Sequence, residues 1–232
     1  MFAPTIDRTS VAREDYVRAI SKLQQGEEPV SITELAQALG ITPPSVSGMI
    51  QRLEADGLAE HRPRAGVLLT ERGRALALSV HRRHRLIETF LVQVLGLDWA
   101  EVHEEAEALE HHLSERVVRA IDRHLGHPTT DPHGHPIPAA DGSIIVRELR
   151  PFDTIPAGET VTIREIGSED PGRVRRWKEL GLVPGAVVRI VERQEMEEVW
   201  RLDVDGHEVL TGRPGVEGLR VEIIPPTAHI GG

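Results

Sequence analysis

The sequence contains no cysteine. That excludes disulfides, thiolate metal sites, iron–sulfur clusters and cysteine nucleophiles, and it fits a reducing cytosol. Aromatic residues make up only 3% of the chain, too few for the stacking platforms that grip single-stranded nucleic acid. No apolar run approaches the ~20 residues that span a bilayer. The charged stretch Met1–Val30 does not read as a secretory signal. The expected location is therefore the cytoplasm, without a membrane partner. A basic excess is also missing: 27 Lys and Arg face 37 Asp and Glu over 232 residues, a net charge of −10. A surface made wholly to grip nucleic acid would be basic, but a small DNA-reading module inside an acidic chain is allowed. Acid is plentiful, together with 12 histidines, a supply of hard and borderline metal ligands.

Three textures follow one another. Residues 11–125 read as mostly helical. Residues 126–141 form a Pro/Gly/His-rich connector that can be neither helix nor central strand. Residues 144–224 read as short strands split by Gly and Pro. The fold class is mainly α with a small β domain, and the expected domains are 1–75, 76–143 and 144–226.

In the first of these, Val11–Gln25 reads as a helix. Ser31-Ile-Thr-Glu34 is a capping box opening a short second helix. Thr42-Pro43-Pro44 starts a third, a hydroxyl cap followed by prolines at the first helical positions, and Asp56-Gly57 stops it. Helix, turn and helix within 25 residues give a helix-turn-helix pattern. Two apolar stretches then flank a basic turn containing Arg62, Arg64 and Gly66, which predicts a β-hairpin wing. The start of the third helix would meet DNA through Thr42, Pro44, Ser45, Ser47 and Gly48, small residues that let the backbone come close. Arg52, Arg62 and Arg64 would meet phosphates. No Arg or Asn stands at that end for a bidentate base contact, so DNA shape should contribute to readout. Residues 1–75 carry nine basic and ten acidic side chains. A monomer so nearly neutral would bind weakly, which argues for a dimer on a two-fold, palindromic site of double-stranded DNA. The competing reading is a winged helix used only for protein contacts.

Thr70 caps a long helix from Glu71 to about Leu95 that contains His84 and Glu88. A further helix is predicted from about Trp99 to Leu125, with an apolar stripe at Val102, Ala106, Leu109, Leu113, Val117 and Ile121. Beside that stripe lie His103, Glu107, Glu110 and His111 at i, i+4, i+7 and i+8, a shared face. Residues 96–124 hold eight acidic side chains and three arginines, and packing those carboxylates needs a cation to offset their repulsion. The plain alternative is a solvated acidic face. Two features raise the metal reading: a second His/Glu pair one turn apart, and an Asp15 that folding could bring to the same place. Carboxylate and imidazole without sulfur suit manganese or iron(II).

The order of these elements, with Arg83-His84-Arg85-Leu86, Gly96-Leu-Asp-Trp-Ala-Glu-Val-His103, Ala106-Glu-Ala-Leu-Glu-His-His-Leu-Ser114 and Pro128-Thr-Thr-Asp-Pro-His-Gly-His-Pro-Ile-Pro138, resembles the diphtheria toxin repressor family of metal-dependent transcription regulators. The resemblance covers roughly residues 10–225. It implies a homodimer, an N-terminal winged helix-turn-helix, a helical dimerisation domain holding the metals, and a C-terminal SH3-like β-barrel. Without it, 144–224 is simply a small barrel or sandwich. Arg176-Trp-Lys-Glu-Leu-Gly-Leu-Val-Pro-Gly185 is also similar to small SH3-like domains associated with ferrous iron transport, and Asp205-Gly206 reads as its tight hairpin turn.

Iron-responsive members use Met and Cys where this chain has Asp15 and Glu107, so the likeness is to the manganese-responsive type. The resemblance implies a primary site of Asp15, Glu107, Glu110 and His111. A second site would use His84, Glu88 and His103, completed by Glu169 or Asp170. Manganese members without a C-terminal domain carry Glu where this chain has Arg18, and a cation there cannot be a ligand. The expected function is Mn²⁺-dependent DNA binding that controls metal-uptake genes. The alternatives are an iron(II)-responsive repressor of the same family, a metal-binding adaptor that never meets DNA, and a carboxylate/His metal hydrolase, for which no nucleophile motif speaks.

Overall fold

A computed structural model describes residues 8–24, 26–168 and 170–224. The chain divides into two compact units, one of residues 1–84, 107–120 and 138–144, the other of residues 85–106, 121–137 and 145–232.

The first unit opens with α1 (Arg8–Leu23), α2 (Ile32–Ala38) and α3 (Pro43–Ala55). Tyr16, Val17 and Ile20 of α1 pack on Leu35, Val46, Ile50 and Leu53 of the next two helices. Burial of such side chains contributes roughly 1.5–3 kcal/mol each. The capping box forms as predicted: Glu34 N–H donates to Ser31 Oγ at 3.1 Å, and Ser31 N–H donates to Glu34 Oε2 at 3.0 Å. Thr42 takes the N-cap backbone conformation of α3, but its hydroxyl meets Ser45 Oγ at 3.0 Å rather than a backbone N–H.

The wing follows as β1 (Ala59–Arg62) paired antiparallel with β2 (Gly66–Leu69). Val30 bridges to Val67 and makes the hairpin a three-membered ladder. Gly66 is required at that crossing: it sits at φ +133°, and a Cβ there would lie 2.2 Å from the Val30 carbonyl oxygen. Gly73 N–H donates to Thr70 Oγ1 at 3.1 Å, capping α4 (Glu71–Gln93).

Where one helix is predicted from Trp99 to Leu125, the structure has two, α5 (Val102–Glu110) and α6 (Glu115–His124). Ser114 starts the second: its carbonyl accepts from Val118 N–H at 3.0 Å, and Val117 N–H reaches its hydroxyl at 3.4 Å. The break rotates the stripe. Val102 and Ala106 are buried as expected, but Val117 is exposed and Val118 is buried in its place. The earlier start also fails, because Asp98 Oδ1 caps a turn at Ala100 before α5 begins.

The second unit is built on a six-stranded sheet in the order β3-β8-β4-β5-β6-β7. Its strands are β3 (Arg150–Pro151), β4 (Thr160–Ile166), β5 (Val187–Gln194), β6 (Val199–Val204), β7 (His207–Gly212) and β8 (Leu219–Ile223). Register shifts in β4 between Ile163 and Glu165, and in β5 between Ile190 and Glu192, bend it around Phe152, Trp177 and Trp200. The ladder is that of an SH3-like domain with β3 and β7 left as edges, so the expected barrel does not close. Asp205 and Gly206 both have positive φ, 50° and 81°, as a two-residue hairpin turn demands. One helix went unpredicted, α7 (Pro171–Glu179), announced by Asp170 at its N-cap and Pro171 at its first position. The 126–141 connector is neither helix nor strand, as expected. It folds on Asp131, whose Oδ1 accepts from His133 N–H at 2.8 Å and His135 N–H at 2.9 Å.

Candidate metal centres and nucleic-acid interface

Two titratable clusters stand out, one in each unit. In the first, α1 brings Asp15 against the end of α5. Ligand-type atoms of Asp15, Glu110 and His111 all lie within 4.8 Å of one another. His111 Nε2 is 3.1 Å from Asp15 Oδ1 and 3.2 Å from Glu110 Oε1. Its other nitrogen, Nδ1, is 2.9 Å from Glu14 Oε2. Glu14 was not anticipated. It fixes the ring so that Nε2 faces the two carboxylates, the usual outer-sphere support of a histidine ligand. Arg83 holds Glu14 in turn, at 3.1 Å, and also donates to the Glu110 carbonyl oxygen at 3.2 Å.

Glu110 is 1% exposed, so its charge must be met inside the protein. Burial alone would raise its pKa. The His84 hydrogen bond and the charges of His84, Arg18 and His111 outweigh that and hold it below the usual glutamate value. Asp15 goes the other way: burial outweighs the His111 and Arg18 charges and raises its carboxyl above the usual range. Glu107, the fourth expected ligand, is half-exposed and turns its carboxylate to Arg18. Arg18 Nη1 also donates to both oxygens of Glu110, at 2.9 and 3.1 Å. His84, placed by sequence in the second site, has its Nδ1 2.8 Å from Glu110 Oε2. It therefore borders the first cluster, with Glu88 one turn later on α4.

In the second unit Glu88, only 2% exposed, serves two imidazoles. His103 Nδ1, which the family resemblance implies as its companion, lies 3.1 Å from Oε1. His133 Nδ1 lies 3.7 Å from Oε2. Glu88, Asp131 and His133 form a buried ligand-type trio within 4.8 Å. Asp131 and His133 were missed, since a Pro/Gly/His loop gives no period from which burial can be read. The signal available was Asp-x-His inside a connector too rich in His to be a plain linker. His133 stacks on Trp99 with ring centroids 5.6 Å apart, and its Nε2 meets the Trp99 carbonyl oxygen at 2.8 Å. Burial would lower its pKa, but Glu88, Asp131 and that carbonyl raise it above the usual histidine value.

Of the two acidic candidates from the β domain, Asp170 does not join this trio. Asp170 spends its carboxylate on Gly172 N–H at 2.9 Å, capping α7, and Glu169 lies outside the described residues. The donor sets of both clusters are oxygen and imidazole nitrogen, half or more of it buried. That chemistry fits a hard or borderline divalent cation.

The expected DNA-facing residues all lie in the first unit and are exposed. Thr42, Pro44, Ser45, Ser47, Gly48 and Arg52 are exposed, whereas Val46, Ile50 and Leu53 point into the core. Arg62 ends β1 and Arg64 lies within the wing turn, at φ +68°. Arg62 pairs with Glu60 at 2.9 Å across the wing surface.

Three family descriptions tile the chain: the N-terminal DNA-binding domain of iron-dependent repressors over residues 8–67, their metal-binding and dimerisation domain over 70–139, and the FeoA domain over 150–222. The chain is 38% identical to the iron-dependent repressor IdeR of Mycobacterium tuberculosis over 194 residues, 76% of this chain and 82% of that one. It is 31% identical to the diphtheria toxin repressor of Corynebacterium diphtheriae over 227 residues, 93% of each. A solved manganese-dependent transcriptional repressor in complex with manganese matches it with a TM-score of 0.84 at 36% identity, over 91% of this chain and 100% of that one. A structure of ScaR with bound Zn²⁺ matches at 0.76 and 32% identity, over 91% and 99%. With a winged helix-turn-helix at one end, a metal-binding and dimerisation segment behind it and a FeoA-type sheet at the other end, this chain belongs to the iron-dependent repressor family, metal-dependent transcription regulators that bind DNA.

Proposed function

We propose that this protein is a cytoplasmic, manganese-activated repressor of metal-uptake genes that binds a palindromic operator as a homodimer and acts as a regulator, not as an enzyme. The observation that carries the proposal is the meeting of Asp15, from the DNA-binding module, with Glu110 and His111 at the end of α5. With an ion held by Asp15, Glu107, Glu110 and His111, α1 is tied to the dimerisation helix. In a dimer this sets the separation of two α3 helices near one DNA turn, roughly 34–36 Å. The ion binds the DNA-competent arrangement better than any other, which is what allosteric activation requires. A second ion would sit at Glu88. His84 and His103 are the ligands that the family resemblance implies, and the buried Asp131–His133 pair on the other side of the same carboxylate offers a competing set.

Manganese is preferred because Asp15 and Glu107 supply hard oxygen, and because a solved manganese-dependent repressor is among the most similar structures. Iron(II) is the second reading, favoured by the iron-dependent relatives at 38% identity.

The test mixes the protein with sheared genomic DNA in Mn²⁺, in iron(II) without oxygen, or in chelator, and sequences what is retained. Retention of a few palindromic sites in Mn²⁺, lost in chelator and lost in Asp15→Ala, is the expected result. Equal retention in chelator would sink metal gating. Stronger retention at lower free iron(II) than Mn²⁺ would transfer the assignment to iron.

A further inference from the structure

We infer that Arg18 is a built-in counter-cation of the primary site, which holds the ligand carboxylates in the metal-free protein and so sets how much metal is needed to activate it. The inference rests on the assignment of Asp15, Glu107, Glu110 and His111 as ligands. Arg18 is one turn after Asp15 on α1, and its side chain is only 11% exposed. Nη2 donates to Glu107 Oε1, and Nη1 donates to Glu110 Oε1 at 2.9 Å and Oε2 at 3.1 Å. Nη1 also lies 3.3 Å from His84 Nδ1. One guanidinium therefore binds both glutamates that a metal would need.

Three physical points follow. A buried carboxylate such as Glu110 cannot stay ionised unpartnered, and a guanidinium keeps its charge at any pH the protein meets. Arg18 thus offsets the charge of both glutamates and holds their side chains in place before a metal arrives. The bonds are charge-assisted and forked, the stronger class of hydrogen bond. An incoming cation must displace them, and it then has a fixed positive charge beside it. Arg18 accordingly stabilises the metal-free state and opposes loading, raising the concentration at which the site fills. The same charge disfavours a second ion on the α1 side of Glu107 and Glu110.

The test is a double-mutant cycle of Arg18→Ala and Asp15→Ala, read by Mn²⁺ titration calorimetry and by thermal unfolding in chelator and in Mn²⁺. Arg18→Ala should bind Mn²⁺ roughly tenfold or more tighter, the scale of one lost charge-assisted pair. It should also unfold at a lower temperature in chelator and show a larger Mn²⁺-induced rise. The affinity gain should vanish in the Asp15→Ala background. Arg18→Lys, which keeps the charge but cannot fork to both glutamates, guards against a poorly folding Ala variant and should show a smaller gain. A role confined to packing would lower the unfolding temperature equally with and without Mn²⁺ and leave affinity unmoved, overturning the inference. So would weaker Mn²⁺ binding in both Arg18 variants. If Asp15→Ala instead loses no ion, it is the ligand assignment itself that fails.

Discussion

At the scale of single residues the cluster of Asp15, Glu110 and His111 is a contest over charge. Glu110 is buried, yet it is held below the ordinary glutamate range by His84, Arg18 and His111 against the cost of burial. A carboxyl whose folded pKa is depressed contributes stability above its unfolded value, and that stability is lost as pH falls through the folded value. In chelator, the unfolding temperature should therefore decline as pH drops below the ordinary glutamate range. Asp15, with its pKa raised, works in the opposite sense over the same acid range, because its contribution is present in acid and fades as pH rises. Glu110→Gln should flatten or reverse the acid decline, as followed by thermal unfolding at a series of pH values. An unchanged slope in that variant would show that Glu110 carries none of it.

At the scale of elements, α3 shows how a recognition helix keeps its outer face small. Gly48 lies in the helix at an ordinary φ, and a Cβ built there would meet nothing within 4 Å. The fold does not need a glycine at this point. Gly48→Ala should stabilise the protein by about 0.5–1 kcal/mol through helix propensity. It should also weaken operator binding if the DNA backbone or bases approach that spot. Denaturant unfolding and a gel-shift titration on one sample separate the two effects. Gain in stability with full DNA affinity would remove Gly48 from the interface.

The elements also show what can be read from sequence. The capping box, the wing turn and the His84–Glu88 spacing were legible because each depends on residues within one or two turns. The joining of Asp15 to Glu110 and His111 was legible only as an expectation, since Asp15 and His111 lie 96 positions apart. The break at residues 111–114 was hidden by Leu113 and Val117, which continue the apolar stripe while the backbone stops and restarts at Ser114. Helix α7 was overlooked although Asp170-Pro171 marks it, because the surrounding strands set the reading. Asp131 and His133 could not be ranked at all, for a loop's burial is decided by what covers it rather than by its own pattern.

At the scale of the whole molecule, a net charge of −10 means that affinity for DNA cannot rest on a general positive field. It must come from few, placed cations. If Arg52, Arg62 and Arg64 are the phosphate contacts, a dimer uses six, and the logarithm of operator affinity should fall with the logarithm of salt with a slope of about −5. Arg64→Ala should make that slope shallower by about 2, since two copies are lost. Fluorescence anisotropy over a range of salt measures both. A slope unaltered by Arg64→Ala would place the phosphate contacts elsewhere.

The ligand atoms of both clusters are oxygen and imidazole nitrogen, in a chain with no thiol anywhere. A sensor whose ligands include cysteine can be silenced by peroxide, since sulfenic acid and disulfide no longer hold metal as a thiolate does. Here no donor can take that route. If these clusters hold the metal as proposed, filling them does not depend on the thiol redox state of the cell.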